Sequence, residues 1–336
     1  MPQLLERLGV KLPVVQAGMG GGLSRHELAA AVSEAGGLGT IAVSGAEAIR
    51  RELAAARALT GRPLAVNLLL PFARRDWFEA AAAADVVVTF WGTPRRRTPG
   101  IWLHQCGSVA EARRAQAAGA DGVIVQGVEA GGHVRGTTPA LQLLEEVRSA
   151  LPAEYPLLLA GGIAEPADVQ AALAAGAQAA VAGTRFLLSE ESRAHALYKE
   201  RLLAARETLL TELFGAGWPA PHRVVPNAAT ERWLGGVRPF RGISPGKDER
   251  RAALRAPRAN RLLNHLLAPG ARYTPPSLQL RMIRAQRPGS HLLSPAGPTD
   301  DGPPNLVEAG ALYAGETVVR IDTVRPAAEL VRELAG

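Results

Sequence analysis

The chain has 336 residues, of which 47% are apolar and 21% charged; this excludes general disorder and leaves room for one large domain or two modest ones. No apolar run reaches the ~20 residues of a membrane span, and the opening MPQLLERLGVKLPVVQ lacks the layout of a secretory signal, so a cytoplasmic protein is expected. Its single cysteine, Cys106, excludes an internal disulfide and a Cys-based structural zinc site. Residues 1–184 carry 16 basic and 16 acidic side chains, so the whole net charge of +7 resides in 185–336, with 22 and 15. Most of it lies between Arg238 and Arg287, a stretch able to attract anions. No nucleic-acid docking motif accompanies it, and it reads as a solvated Arg-rich surface with no nucleic-acid partner.

In chain order, short apolar or β-branched runs at 13–17, 38–43, 64–69, 85–90, 101–105, 121–126, 156–160 and 177–182 alternate with Ala-rich amphipathic runs. Eight such units indicate a TIM (β/α)8 barrel, because a doubly wound sheet usually stops near six strands. The connection WGTPRRRTPG (91–100) has two prolines and no apolar helical face, so a loop is expected where a helix would stand. Residues 183–214 read as helical and are followed by a Pro/Gly/Arg-rich region to about 310. The tail ETVVRIDTVRPAAELVRELAG predicts a short extended piece and an amphipathic eighth outer helix. The expected organisation is a barrel over 1–189, completed by 311–336, with a lid or insertion subdomain over 190–310 at the C-terminal rim.

Several strand ends carry residues that suit a ligand. The first runs into Gln16-Ala17-Gly18-Met19-Gly20-Gly21-Gly22, where backbone amides can approach a flat or anionic group. The third contains Asn67, with a donor and an acceptor on one side chain. The sixth leads into Gln126-Gly127-Val128-Glu129-Ala130-Gly131-Gly132-His133-Val134-Arg135-Gly136, with Thr138 as the expected N-cap and Pro139 as the first residue of the next helix. There His133 offers a group that titrates near neutrality, and Glu129 is read as orienting the loop. Glycine turns at Gly161-Gly162 and at Gly183-Thr184 fall where this fold builds a phosphate site. No dinucleotide fingerprint is present. Cys106, at the end of the fifth strand, reads as a small packing residue rather than a nucleophile.

Together PVVQAGMGG, AVNLLL, VVVTFWG, HQCGS, QGVEAGGHVRG, AGGI and AGTRF, spread over about residues 10–215, closely resemble the nitronate monooxygenase (2-nitropropane dioxygenase) family, with FMN-dependent enoyl-acyl carrier protein reductases as near relatives. The resemblance implies a TIM barrel holding FMN non-covalently. It implies FMN contacts from Met19, Asn67, Gln126, Gly131 and Gly162, a phosphate-binding strand end at Val181-Ala182-Gly183-Thr184, and His133 as the active-site histidine. It further implies oxidation of alkyl nitronates by molecular oxygen to a carbonyl compound and nitrite, with NAD(P)H-dependent reduction of enoyl thioesters as the alternative. Two departures stand out: the 91–100 loop is short, and the Arg-rich 238–300 region resembles no segment of the family. Arg95, Arg96 and Arg97, with the arginines of the insertion, are expected to bias the site toward a small anionic substrate. No membrane partner is expected, and a homodimer is left open.

Overall fold

The computed structural model describes residues 3–235, 255–271, 273–274 and 276–336. Eight parallel strands form the barrel: β1 (Val14–Gln16), β2 (Gly39–Ile41), β3 (Leu64–Leu69), β4 (Val86–Phe90), β5 (Ile101–Cys106), β6 (Gly122–Gln126), β7 (Leu157–Ala160) and β8 (Ala179–Ala182). Each falls on a run expected from the sequence. Chain neighbours pair in order from β2 to β8, and β8 pairs with β1. A bridge between Val15 and Leu38 closes the ring, with Gln16 N–H donating to Leu38 O at 2.9 Å and Leu38 N–H donating to Val14 O at 3.0 Å.

Alternation along each strand divides its side chains between two cores. Inside the barrel lie Val15, Ala65, Val86, Val88, Leu103, Ile124, Leu158, Ala160, Ala179 and Val181. The N-terminal helix Gln3–Leu8 plugs the bottom with Leu4, Leu5 and Leu8. Between the strands and the outer helices lies a second layer that includes Trp102, Val123, Val125, Leu157 and Leu159. Cys106 belongs to this layer and is fully buried, and burial pushes its thiol far above the ordinary range. It is a packing residue.

The C-terminal helix Ala327–Ala335 buries Ala327, Leu330, Val331 and Leu334 against the same layer and packs beside His26–Glu34 and Pro166–Ala174. It is the eighth outer helix. The preceding piece differs from expectation, because Glu316–Arg320 is a 3₁₀ turn rather than extended. The helix expected over 183–214 is also broken. Thr184–Leu187 stops where Ser189 and Ser192 hydroxyls donate to Phe186 O and Leu187 O, and Ala196–Leu203 forms a separate helix. Leu209–Thr211 then pairs with His222–Val224, whose other edge takes Gly132–His133. This three-stranded sheet satisfies backbone groups that an isolated helix end would leave open.

No helix stands between β4 and β5. In its place the 91–100 loop covers the outer wall, with Arg96 over the Trp102 ring at 5.8 Å and Arg97 over Phe78 at 5.2 Å. Arg96 also binds Gly100 O and Asp121, 2.7 Å from the Asp121 carboxylate. These partners immediately precede β5 and β6, so Arg96 sits at the N-terminal rim. The expectation that this cluster steers anions into the mouth is overturned for Arg96, because its guanidinium is bound at the opposite rim of the barrel.

Beneath that loop, Trp102 Nε1–H donates to Thr89 Oγ1 at 2.7 Å, and Thr89 Oγ1 lies 2.8 Å from His104 Nδ1. Burial lowers the His104 pKa to about 4. An unfolded histidine takes its proton near pH 6.5 and this one only near 4, so its contribution is complete above pH 6.5 and disappears as pH falls toward 4. Thermal unfolding followed against pH is expected to show a loss of order 3 kcal/mol across that window from this residue. His104→Asn should flatten the slope; an unchanged slope would assign the acid sensitivity elsewhere.

Candidate active site at the C-terminal mouth

The loop after β6 is held from several sides. Gln126 is buried at the strand end, where its Nε2–H donates to His133 O at 3.0 Å and its Oε1 accepts from Arg135 N–H at 3.3 Å. Glu129 accepts from Ala140 N–H through both carboxylate oxygens, at 3.1 and 3.0 Å. The helix Ala140–Ala150 therefore starts one residue later than expected. Glu129 supplies its cap and Thr138 does not, because a remote carboxylate reaches the first free N–H and complements the positive end of the helix. Burial raises the Glu129 pKa, and the Ala140 N–H works against that rise.

Across the small sheet, His133 lies opposite His222, and Gly132 opposite Arg223. The buried Arg223 donates to Val128 O at 2.7 Å and pairs with Glu316 at 3.0 Å, tying this loop to the C-terminal segment. A Cβ on Gly131 would lie 2.5 Å from Ala314 C and Gly315 N. Gly131 is therefore required by the packing of that segment.

His133 presents its ring to an aromatic wall. Trp218 stacks face to face on it, with centroids 3.7 Å apart and planes 19° apart, and meets Phe72 and Trp91 edge-on at 5.4 Å each. His222 and Tyr313 flank the imidazole at 5.3 and 5.5 Å. Trp91 has φ of 61°, a conformation rare for a bulky side chain, and Arg135 stacks over its ring at 4.7 Å. His133 Nε2 is buried without a hydrogen-bond partner among the described residues. Burial and the neighbouring His222 hold the His133 pKa well below 6.5. His222 is anchored otherwise: its Nδ1 is 2.8 Å from Ala220 O and its Nε2 accepts from Phe214 N–H at 3.2 Å. It is a brace, whereas His133 has a free ring nitrogen.

The remaining sequence candidates ring the same mouth. Asn67 lines a pocket with Gly20, Ser44 and Phe72, and Phe72 connects that pocket through Trp218 to His133. Met19 packs between the barrel wall and the overlying residues, in a turn closed by Ser24 Oγ accepting from Met19 N–H at 3.0 Å. Gly162 has φ of 80° and no atom within 4 Å of its Cβ position; at Gly183 a Cβ would meet only Ala17 Cβ, at 3.7 Å. Val181 and Ala182 are buried at the end of β8. Thr184 Oγ1 accepts from Gly315 N–H at 2.9 Å, leaving its hydroxyl hydrogen available. The first N–H groups of the turn that starts at Thr184 lack intrahelical partners.

Trp218, Trp91, Phe72, His222 and Tyr313 were not anticipated from the sequence. A tryptophan in the Gly-Pro-rich run GAGWPAP was the available signal, since a large ring in a turn needs a packing partner. Trp218→Ala is expected to rehydrate the His133 ring and move its pKa up toward 6.5, followed by NMR titration of the imidazole. A pKa that stays low would show that the barrel mouth, and not this ring, desolvates His133.

The nitronate monooxygenase family model matches residues 2–93 and 94–273. A nitronate monooxygenase of Pseudomonas aeruginosa is 34% identical over 287 residues, covering 66% of this chain and 80% of its own. A Mycobacterium tuberculosis dehydrogenase of a hydroxy-methyl-oxo-octahydroindene-carboxyl-CoA is 31% identical, covering 70% and 69%. Among solved structures, FabK from Thermotoga maritima superposes with a TM-score of 0.74 at 26% identity, covering 99% of this chain and 94% of its own. Nitroalkane oxidase from Streptomyces ansochromogenes gives 0.69 at 29% identity, covering 99% and 96%. With that match spanning most of its length, this chain belongs to the nitronate monooxygenase family of oxidoreductases, whose members are generally flavin enzymes.

Proposed function

We propose that the protein oxidises alkyl nitronates with molecular oxygen, using FMN, to a carbonyl compound and nitrite. The observation that carries this reading is a histidine whose buried ring nitrogen has no partner among the described residues, at the mouth of a barrel of this family. The described residues of 190–310 are proposed as the lid over that mouth, because the strand His222–Val224 and the loop bearing Trp218 come from them; 236–254, with much of the Arg-rich stretch, lie outside the described residues.

The cradle fits a flavin phosphate in shape and chemistry. Side-chain space stands open at Gly162 and Gly183, and the donors available there are backbone N–H groups and the Thr184 hydroxyl. Asn67 and Met19 would border the ring system, with Gln126 holding the adjacent loop. Bound FMN supplies the electron transfer that no side chain here can perform. His133, neutral through the physiological range, is suited to take the α-proton of a nitroalkane at Nε2. Trp218, backed by Phe72, covers one face of the imidazole, and His222 and Tyr313 fix the plane of the ring.

Gly183 separates ligand binding from folding. Its backbone is not in the left-handed region and its Cβ position meets only Ala17 at an ordinary contact distance. Gly183→Val is therefore expected to fold with an unaltered circular dichroism spectrum yet retain little flavin after reconstitution and desalting. Full flavin retention would remove this strand end from the cofactor site.

His133→Ala is expected to keep the flavin and lower kcat/KM on neutral nitroalkanes by roughly 10²-fold or more, with a smaller loss on preformed nitronates. Equal activity of wild type and variant on both forms would reject the role. Rapid anaerobic bleaching of the flavin by NAD(P)H would instead favour enoyl-thioester reduction, the reading that the resemblance to FabK supports.

A further inference from the structure

Two consecutive helices of the 190–310 segment, Arg258–Ala271 and Pro276–Ala285, are oriented against the usual rule. Asn260 and Asn264, one turn apart, are 0% and 1% exposed, and none of their amide atoms has a hydrogen-bond partner among the described residues. On the same helix Leu262 and Leu266 are 62% and 67% exposed. Hydrophobic partition alone would turn this helix the other way. The second helix continues the pattern with Leu278, Leu280 and Met282 exposed, and a cleft of about 440 Å³ runs between Leu263 and Met282. Of twelve exposed large apolar side chains among the described residues, eight lie between Leu262 and Met282. Their concentration marks a surface that something covers.

Charge identifies the cover. Arg255, Arg258, Arg281, Arg284 and Arg287 are exposed, and none forms an ion pair among the described residues. The sequence has no Asp or Glu from 250 to 299. A second copy meeting this face would bring two uncompensated sets of arginines together. A protein partner would usually find aromatic anchors, but Tyr273 is the sole Phe, Trp or Tyr between 255 and 287. Aliphatic side chains flanked by unpaired arginines suit the boundary of an anionic lipid leaflet, where leucines enter the acyl zone and guanidinium groups meet phosphates.

We propose that this helix pair docks the protein peripherally on membranes containing anionic phospholipid. No helix among the described residues is long and apolar enough to cross a bilayer, so the contact is peripheral. The outward turn of these apolar faces is decided by the fold. Beneath the first helix a Cβ on Gly215 would lie 2.9 Å from Asn264 Nδ2, and Ala216 borders the cleft. Trp218 follows two residues later, so docking would set the aromatic wall of the active site close behind the lipid surface.

The test is sedimentation of the full chain with phosphatidylglycerol vesicles and, separately, with phosphatidylcholine vesicles. Binding is expected to be at least ~10-fold stronger to the anionic lipid and to fall ~10-fold or more when salt is raised to about 1 M. Leu262→Ser with Leu266→Ser should weaken it by ~10-fold or more while leaving circular dichroism unchanged. Arg281→Gln with Arg284→Gln should do the same and reduce the salt dependence. Absence of binding to phosphatidylglycerol at low salt, or equal binding by the leucine variant, would overturn the proposal. Concentration-dependent self-association of the wild type that this variant abolishes, without vesicle binding, would assign the face to a second copy.

Discussion

The antiparallel pairing of Gly132–His133 with His222–Arg223 is the contact on which the rest of the site depends. It joins a short loop, belonging to the barrel, to a strand that arrives about ninety residues later in the chain. Without it the histidine would lie on a glycine-rich loop with many accessible conformations. With it, the ring is fixed against Trp218 and its nitrogen is enclosed. Backbone hydrogen bonds thus position a side chain that has no hydrogen bond of its own at Nε2.

The loop around that pairing is rigid because its polar groups are satisfied locally. Gln126 bonds the loop with both ends of its amide, Glu129 closes the next helix, and Arg223 reaches Val128 O and Glu316. Each of these groups is partly or wholly removed from water, where an unmet partner costs about 1–3 kcal/mol. Their arrangement leaves little slack. Among the described residues, His133 Nε2 is left without a hydrogen-bond partner in this network, and the proposed role in proton transfer rests on that nitrogen.

The barrel's irregular unit has a different logic. Where the helix between β4 and β5 is missing, two arginines cover aromatic rings on the wall, and one of them locks to the bottom rim. The long stems of arginine shield apolar surface while their heads find carbonyls and a carboxylate. Arg96, which in one dimension belongs to a substrate-steering cluster, is a structural residue in three. Arg258, Arg281 and Arg284 on the two helices from Arg258 to Ala285 face outward without an ion pair among the described residues.

Much of this molecule was legible from local rules. The short apolar or β-branched runs located all eight barrel strands, because length and apolar composition are properties of contiguous residues. The absence of the helix at 91–100 followed from its prolines, and the last amphipathic run was correctly placed as the eighth outer helix. The glycine turns and His133 were singled out because their chemistry is visible in the residue types themselves. The capping of Ala140 by Glu129, the strand at Leu209–Thr211, the aromatic wall, the place of Arg96 and the outward leucines were decided by tertiary structure. Each depends on partners far away in the chain, and a helical period fixes which residues share a face but not which way that face turns.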